Sequence, residues 1–342
     1  MQTTVRVLGT GGTIAGTASQ GSAESVYKAG QLAVEELLKP LLPQLGTRIQ
    51  SVQAVQVAQL DSRDMDHAVW QRLAAELQAG QENEQVVGQV VTHGTDTVEE
   101  TAVFLQGVLR GAKPVVLTAA MRPATSPQAD GPAHLIQALH LAADPAARGV
   151  WMVFGGRAWP AVQVRKVHPF ALQAFSAGDG PAAATWGGGG WVWASDQAVG
   201  AAQGAQSTEP AGCVMPERCE DWPRVEIVHS HAGASGHALE ALLRDGGGAD
   251  DSAERCDQAA LAPVVGVVIS STGNGSIHHS IHQALQNAVH AGRLKREQIL
   301  VATRCTQGWV VGEPDHGWPV AARLTPAQAR VALMLQLATA GR

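Results

Sequence analysis

The N-terminal half of the chain alternates between two patterns of hydrophobic and polar positions. Short apolar or strand-like alternating runs cover residues 5–9, 51–60, 85–92, 114–118 and 149–154. Apolar positions at helical spacing cover residues 34–42, 66–77, 98–109 and 133–143. This alternation predicts βαβ units that build a parallel sheet with helices on both faces.

A second series of the same kind begins near residue 225. Strands are predicted at 225–229, 264–270 and 299–302, and helices at 238–243, 277–289 and 326–338. Between the two series, residues 183–193 predict a hairpin around four consecutive glycines. We therefore expect an α/β protein with a larger N-terminal parallel-sheet domain and a smaller C-terminal α/β domain.

The domain boundaries follow from changes in composition. Residues 198–222 are rich in Ala, Gln, Gly and Pro, which indicates a linker. The N-terminal domain is then predicted at 1–197 and the C-terminal domain at 223–342. Within the latter, residues 245–263 predict an exposed insertion.

Composition narrows the possible partners and the compartment. The chain has 342 residues and a net charge of -6, which argues against nucleic acid or an anionic membrane as its main partner. It contains no apolar run of the roughly 20 residues that a membrane span needs. The N-terminus lacks a signal-peptide pattern, and the four cysteines form no C-x-x-C pair. We expect free thiols and a cytoplasmic protein.

Two strand-to-helix junctions carry hydroxyl groups, and such junctions are where open α/β sheets bind ligands. The first has the sequence GTGGTIAG at residues 9–16 and contains Thr10 and Thr13. It is not a dinucleotide fingerprint, because Ile14 stands where a third glycine is required. The junction therefore offers two threonine hydroxyls on a tight glycine turn.

The second junction has the sequence THGTDTVEE at residues 92–100. Thr97 and Glu100 have the spacing of a capping box, which predicts that the helix begins there. Thr95 and Asp96 then lie in the turn, where a hydroxyl beside a carboxylate at a helix N-terminus suits a polar substrate and a developing oxyanion. His93 is expected to pack behind this turn.

A threonine hydroxyl becomes a good nucleophile only when a neighbouring group takes its proton. The sequence places no His–Asp arrangement beside Thr13, so the remaining candidates are a lysine or a tyrosine. Tyr27 is the only tyrosine of the chain and stands in a polar segment expected to form a mobile loop. Lys166 follows the strand predicted at 149–154 and could reach the same sheet edge.

These motifs resemble the two signatures of the bacterial-type L-asparaginase and glutaminase-asparaginase family. The signatures are Thr10–Gly16 (TGGTIAG) and His93–Thr97 (HGTDT), and two further segments, 119–132 and 271–275, are similar to family segments. The resemblance covers the chain outside the linker and the insertion. It implies that the chain hydrolyses L-asparagine through an acyl-enzyme intermediate, with no cofactor and no metal.

The resemblance also implies roles for individual residues. Thr13 matches the nucleophile, Tyr27 a loop tyrosine bonded to it, and Thr95, Asp96 and Lys166 a second catalytic group. Substrate binding is implied for Asp96, Ser62 and Asn274, and for Arg63, which follows Ser62 in the sequence. Asn274 matches a residue that reaches a neighbouring subunit's site, so a homotetramer or dimer of dimers is expected.

Arg63 departs from the family pattern, which commonly has Gln or Glu facing the substrate ammonium at this position. A guanidinium about 4 Å from that ammonium would cost on the order of 4 kcal/mol at an effective dielectric near 20. We therefore expect the Arg63 side chain to turn away, towards solvent or an acidic neighbour such as Asp61.

Three alternatives stand beside this interpretation. The first is a related amidohydrolase, either a glutaminase or the amidase subunit of a tRNA-dependent amidotransferase. The second is an amino-acid sensor without activity, which the presence of all five catalytic candidates disfavours. The third is a metal site at His278 and His282 or at His229 and His231, but no H-E-x-x-H pattern supports it.

Overall fold

The structure is a computed structural model, and it describes residues 4–18, 27–194, 212–244 and 262–341. The chain divides into two compact units, Met1–Gly212 and Cys213–Arg342. More than half of the predicted linker, residues 198–211, and nearly all of the predicted insertion, residues 245–261, lie outside the described residues.

The described strands of the first unit are β1 (Thr4–Gly11), β2 (Thr17–Ala18), β3 (Tyr27–Lys28), β4 (Ser51–Leu60), β5 (Val86–Thr92), β6 (Val115–Thr118), β7 (Val150–Phe154), β8 (Arg157–Pro160), β9 (Arg165–Lys166), β10 (Phe175–Ser176), β11 (Ala184–Gly187) and β12 (Gly190–Trp193). Its described helices are α1 (Val34–Leu38), α2 (His67–Glu82), α3 (Val98–Val108) and α4 (Gly131–Ala142).

Eight of these strands form one sheet in the order β12-β11-β8-β7-β6-β5-β1-β4. The five from β7 to β4 are parallel, as predicted. The three at the other edge are antiparallel neighbours, including the predicted hairpin, β11 and β12. The predicted α/β class is thus confirmed, and the antiparallel strands are added at one edge only.

Helices cover both faces of the parallel part of the sheet. Val5 and Val7 belong to the cluster of buried residues that includes α1 and α4. Arg6, which points to the opposite face because strand side chains alternate, bonds to Glu76 of α2. Both faces are therefore buried, which explains the nearly continuous apolar runs of these strands.

The first predicted helix is shorter than its sequence pattern. Residues 34–42 were expected to be helical, but α1 ends at Leu38 and Lys39 is its C-cap. Pro40 follows immediately and has no N–H to donate to the Glu36 carbonyl, so the helical hydrogen bonds stop there although Lys39 keeps helical dihedral angles. The chain continues with a separate 3-10 turn at Leu42–Gln44.

The second unit contains the strands β13 (Arg224–His229), β14 (Val264–Ser271) and β15 (Ile299–Thr303) and the helices α5 (His237–Arg244), α6 (His279–His290) and α7 (Pro326–Ala340). The three strands are parallel, in chain order. Their apolar residues and those of α6 form a separate buried cluster. In the described ranges of both units, no helix has the length and hydropathy to cross a membrane.

Candidate active site

Three loops meet at the carboxyl ends of the neighbouring strands β4, β1 and β5. Gly11 and Gly12 have φ angles of 105° and 78°, a region that side chains rarely adopt. A Cβ at Gly12 would collide with the backbone of Gly94, and a Cβ at Gly94 with Ser62 Oγ. Glycine is required at these positions because the loops pack backbone against backbone.

Thr13 follows this contact and bonds to Tyr27. It begins a 3-10 turn and is 6% exposed, and its Oγ1 lies 2.6 Å from the Tyr27 hydroxyl oxygen. The short antiparallel pair of β2 and β3 returns the chain to this point, with Ala18 opposite Tyr27. A Cβ at Gly16 would lie 2.9 Å from Tyr27 Cδ2, so this glycine leaves room for the ring.

Tyr27 and Lys28 are thus a short strand. The polar residues before them, 19–26, lie outside the described residues, and the expected mobile loop falls there.

Lys166 meets the second threonine motif. Its Nζ donates to Thr95 Oγ1 at 2.9 Å and to Asp96 Oδ1 at 2.5 Å. The lysine side chain is 16% exposed and that of Asp96 is 54% exposed. The ammonium therefore joins a hydroxyl to a carboxylate that solvent or a ligand can reach.

Ser62 is held against the same turn by contacts that sequence reasoning missed. It is 2% exposed, its Oγ accepts from the Asp96 N–H at 3.2 Å, and its carbonyl accepts from Thr97 Oγ1 at 2.8 Å. The Thr97 side chain accepts no hydrogen bond from the helix, so the predicted capping box is wrong, although Thr97 is the N-cap of α3. No local signal distinguishes the two uses of this hydroxyl.

His93 packs behind the turn, as expected. Its Nδ1 must be the protonated nitrogen, because it lies 2.7 Å from the Gly94 carbonyl oxygen, which can only accept. Its Nε2 then accepts from Thr101 Oγ1, which in turn accepts from the Trp70 indole. Burial lowers the pKa of His93 to about 4, so the imidazole is neutral and both its nitrogens are used.

Arg63 turns away towards acidic neighbours, which confirms the expected orientation. Its Nε lies 3.6 Å from both Asp61 Oδ2 and Asp64 Oδ2, and its side chain is 72% exposed. The charge is therefore solvated and partly neutralised by two carboxylates.

Asn274 belongs to the second unit, where it organises a loop. Its Nδ2 donates to the Val311 carbonyl at 2.8 Å and its Oδ1 accepts from the Val311 N–H at 2.7 Å. Val311 itself is 65% exposed. The amide thus fixes an exposed apolar segment of the chain.

The histidines considered as metal ligands have structural contacts. His278 is the N-cap of α6 and accepts from the Ser280 N–H, and His282 Nδ1 accepts from the Trp318 indole at 3.1 Å. Within the described parts of the chain, no cluster of three or more His, Cys, Asp or Glu side chains could hold a metal ion.

Comparison with known families assigns both halves of the chain. Residues 4–199 match the family described as asparaginase, N-terminal, and residues 224–341 match the glutaminase/asparaginase C-terminal domain. Together the two matches cover nearly the whole described chain.

Individual relatives are similar over almost their full length. L-asparaginase 2 of Escherichia coli is 33% identical, with 97% of this chain and 88% of the relative covered. A probable periplasmic L-asparaginase of Haemophilus influenzae is 32% identical with the same coverage. The crystal structure of a probable cytoplasmic L-asparaginase from Campylobacter jejuni is similar with a TM-score of 0.78 and 30% identity, over 98% of this chain and 95% of that one.

Proposed function

This chain belongs to the asparaginase family, and we propose that it uses the Thr13 hydroxyl as the nucleophile of its reaction. That reaction is the hydrolysis of L-asparagine to L-aspartate and ammonia. The observation that carries the proposal is the 2.6 Å contact between Thr13 Oγ1 and the Tyr27 hydroxyl, on a turn beside the Thr95 motif.

In the first half-reaction, Thr13 Oγ1 attacks the side-chain amide carbon and forms an ester. The Thr13 proton passes to the Tyr27 oxygen, which releases its own proton to the leaving nitrogen. The C–N bond breaks and ammonia departs. Tyr27 is the group within hydrogen-bond distance of Thr13, so it acts here in preference to Lys166.

In the second half-reaction, water hydrolyses the ester and Thr13 Oγ1 regains a proton. Thr95 Oγ1 accepts from the Lys166 ammonium, which leaves the hydroxyl hydrogen of Thr95 free to orient the water or the substrate oxygen. Asp96 balances the charge of Lys166 at 2.5 Å. The three residues therefore act as one unit.

The same turn supplies the groups for an α-amino acid. Ser62 Oγ accepts from the Asp96 N–H and keeps its own hydrogen to donate to the substrate α-carboxylate. Asp96 uses Oδ1 for Lys166, so its Oδ2 is placed for the substrate ammonium. No cofactor takes part in either step.

Release of ammonia from asparagine and from glutamine, measured side by side on the purified protein, tests this function. We expect the higher kcat/KM with asparagine. Faster release from glutamine would favour the alternative of a glutaminase-asparaginase, a name that several relatives carry. Release from neither amide would leave the amino-acid sensor as the function.

The position of Arg63 predicts ordinary recognition of the substrate amino group. Because the guanidinium lies beside Asp61 and Asp64, Arg63→Gln should change kcat/KM for asparagine less than about tenfold, as expected for a solvated charge. Both proteins should prefer asparagine to succinamic acid, its analogue without the amino group. A wild type that prefers succinamic acid, with the preference reversed in Arg63→Gln, would contradict this.

We further propose that the protein is a homotetramer built from close dimers. The support is the family match of Asn274, together with the exposed Val311 segment that its amide fixes. Light scattering should give a mass four times that of the chain. A fully active monomer would refute this.

A cytoplasmic location is proposed from the cysteines and from the neighbour described as cytoplasmic. Since a relative is described as periplasmic, the location is tested by fractionation of the native organism.

A further inference from the structure

Glu99 is a carboxylate of the first turn of α3 that lies next to the catalytic group. It stands three residues after Asp96, and its side chain accepts a hydrogen bond from the backbone N–H of Lys166. A carboxylate at this end of a helix interacts favourably with the helix dipole. Its contact with Lys166, however, connects α3 to a separate strand.

The register of β9 explains why this N–H is available. Val167 donates to the Ala174 carbonyl, so Val167 and Ala174 are a hydrogen-bonded pair of the β9–β10 ladder. Hydrogen-bonded and non-bonded pairs alternate in antiparallel strands, so the next pair, Lys166 and Phe175, is non-bonded. The N–H of Lys166 therefore points away from β10, and Glu99 is the group that accepts it.

We propose that Glu99 is a positioning residue, whose ionised carboxylate holds the backbone of Lys166 so that the ammonium reaches Thr95 and Asp96. The inference rests on the role proposed above for Lys166. Glu99 contacts no reacting atom in this scheme and acts through the lysine.

The environment of the Glu99 side chain disfavours the ionised form of its carboxyl group. Burial raises the pKa of Glu99 to about 7, with the charge of Glu100 adding to the rise. Arg165 and Lys166 on β9 oppose it. Residues 161–163 and β7, which also pack against α3, carry no charged side chain, and Trp70 of α2 stacks on Phe104. His93, which bonds to Thr101 of α3, is neutral.

This pKa makes Glu99 unfavourable for stability at neutral and alkaline pH. The folded-state pKa of Glu99 is raised above the ordinary value of 4.5. Its contribution to the free energy of unfolding is therefore most favourable below pH 4.5 and is lost as pH rises through about 7. A carboxylate present only to stabilise the fold would have a lowered pKa and would add stability at neutral pH.

The activity test compares Glu99→Gln with Glu100→Gln, which removes the same charge from the same helical turn. We expect Glu99→Gln to lower kcat about tenfold, because the neutral amide oxygen of Gln accepts a weaker hydrogen bond than the carboxylate does, with KM within about twofold. Wild-type kcat should fall as pH drops through about 7, and this limb should be absent in Glu99→Gln. Glu100→Gln should keep both the rate and the limb.

The stability test measures Tm of the same variants at pH 8.5 and pH 5. Glu99→Gln should melt at or above the wild-type temperature at pH 8.5, and this advantage should disappear at pH 5. Glu99→Asp keeps the charge on a shorter side chain, so it should lose rate but retain the acidic limb. A Glu99→Gln protein that fails to fold would overturn the inference, because Glu99 would then be structural.

Lys166→Met separates failure of this inference from failure of the proposed function. If Lys166→Met is inactive and Glu99→Gln is as active as Glu100→Gln, Glu99 does not position the lysine and only this inference fails. If Lys166→Met keeps wild-type turnover, the proposed role of Lys166 fails and the inference falls with it. Support requires that Glu99→Gln adds no further loss in the Lys166→Met background.

Discussion

Thr13→Ala should lower asparagine turnover by about a hundredfold or more, because it removes the oxygen that forms the ester. The variant should still fold. Thr13 is 6% exposed, so the substitution removes a methyl and a hydroxyl group from a buried turn. Loss of its hydrogen bond to Tyr27 should cost about 1 kcal/mol of unfolding free energy. Steady-state ammonia release and thermal unfolding measure the two effects.

Thr10→Ala is the matched control, because Thr10 lies on the same loop and is also buried. Its Oγ1 donates to the Thr92 carbonyl at 2.9 Å, so the substitution removes an equivalent hydroxyl and hydrogen bond. It should lower stability by a similar amount and leave kcat within about tenfold. Thr13→Ala activity above about a tenth of wild type would remove Thr13 from the mechanism.

The sequence predicts the elements with long periodic patterns and misses those that depend on distant contacts. β4 lies at the predicted residues 51–60, because a valine-rich run that mixes apolar and polar positions without helical spacing is a local strand signal. β9 and β10 have two residues each, too few to show a period, and they are defined only by pairing with each other. The local pattern therefore predicts the large sheet but not the short strand pair that carries Lys166.

In the active site, too, local patterns were predictable and distant contacts were not. The glycine turn at Gly11 and Gly12 was predicted from composition, and its backbone contact with Gly94 explains why glycine is needed. The helix start at Thr97 was predicted correctly, but the capping box was not, because the Thr97 hydroxyl donates instead to the carbonyl of Ser62, a residue distant in sequence. Glu99 resembles an ordinary helix-dipole carboxylate, so its contact with Lys166 could not be predicted without the fold.

Lys166, Thr95 and Asp96 form a single connected group, which has a consequence for how their substitutions combine. Each contact of the lysine depends on the same Nζ atom, at 2.9 Å from Thr95 and 2.5 Å from Asp96. Removing either the lysine or the Thr95 hydroxyl breaks the contact that orients the water or the substrate oxygen. Residues that act as a unit show strongly non-additive losses.

Lys166→Met and Thr95→Val should each lower kcat by about a hundredfold, and the double variant should be little worse than the worse single one. Independent roles would instead multiply to about ten-thousandfold, a difference of roughly 2.7 kcal/mol in coupling energy. Lys113→Met is the matched control, because Lys113 Nζ also donates to two groups, the Gly80 and Asn83 carbonyls, away from the site. It should lower Tm and spare kcat. Multiplicative losses in the double variant would show that Lys166 and Thr95 serve separate steps. Proton transfer to and from Thr13 would then have to be assigned to Tyr27 alone.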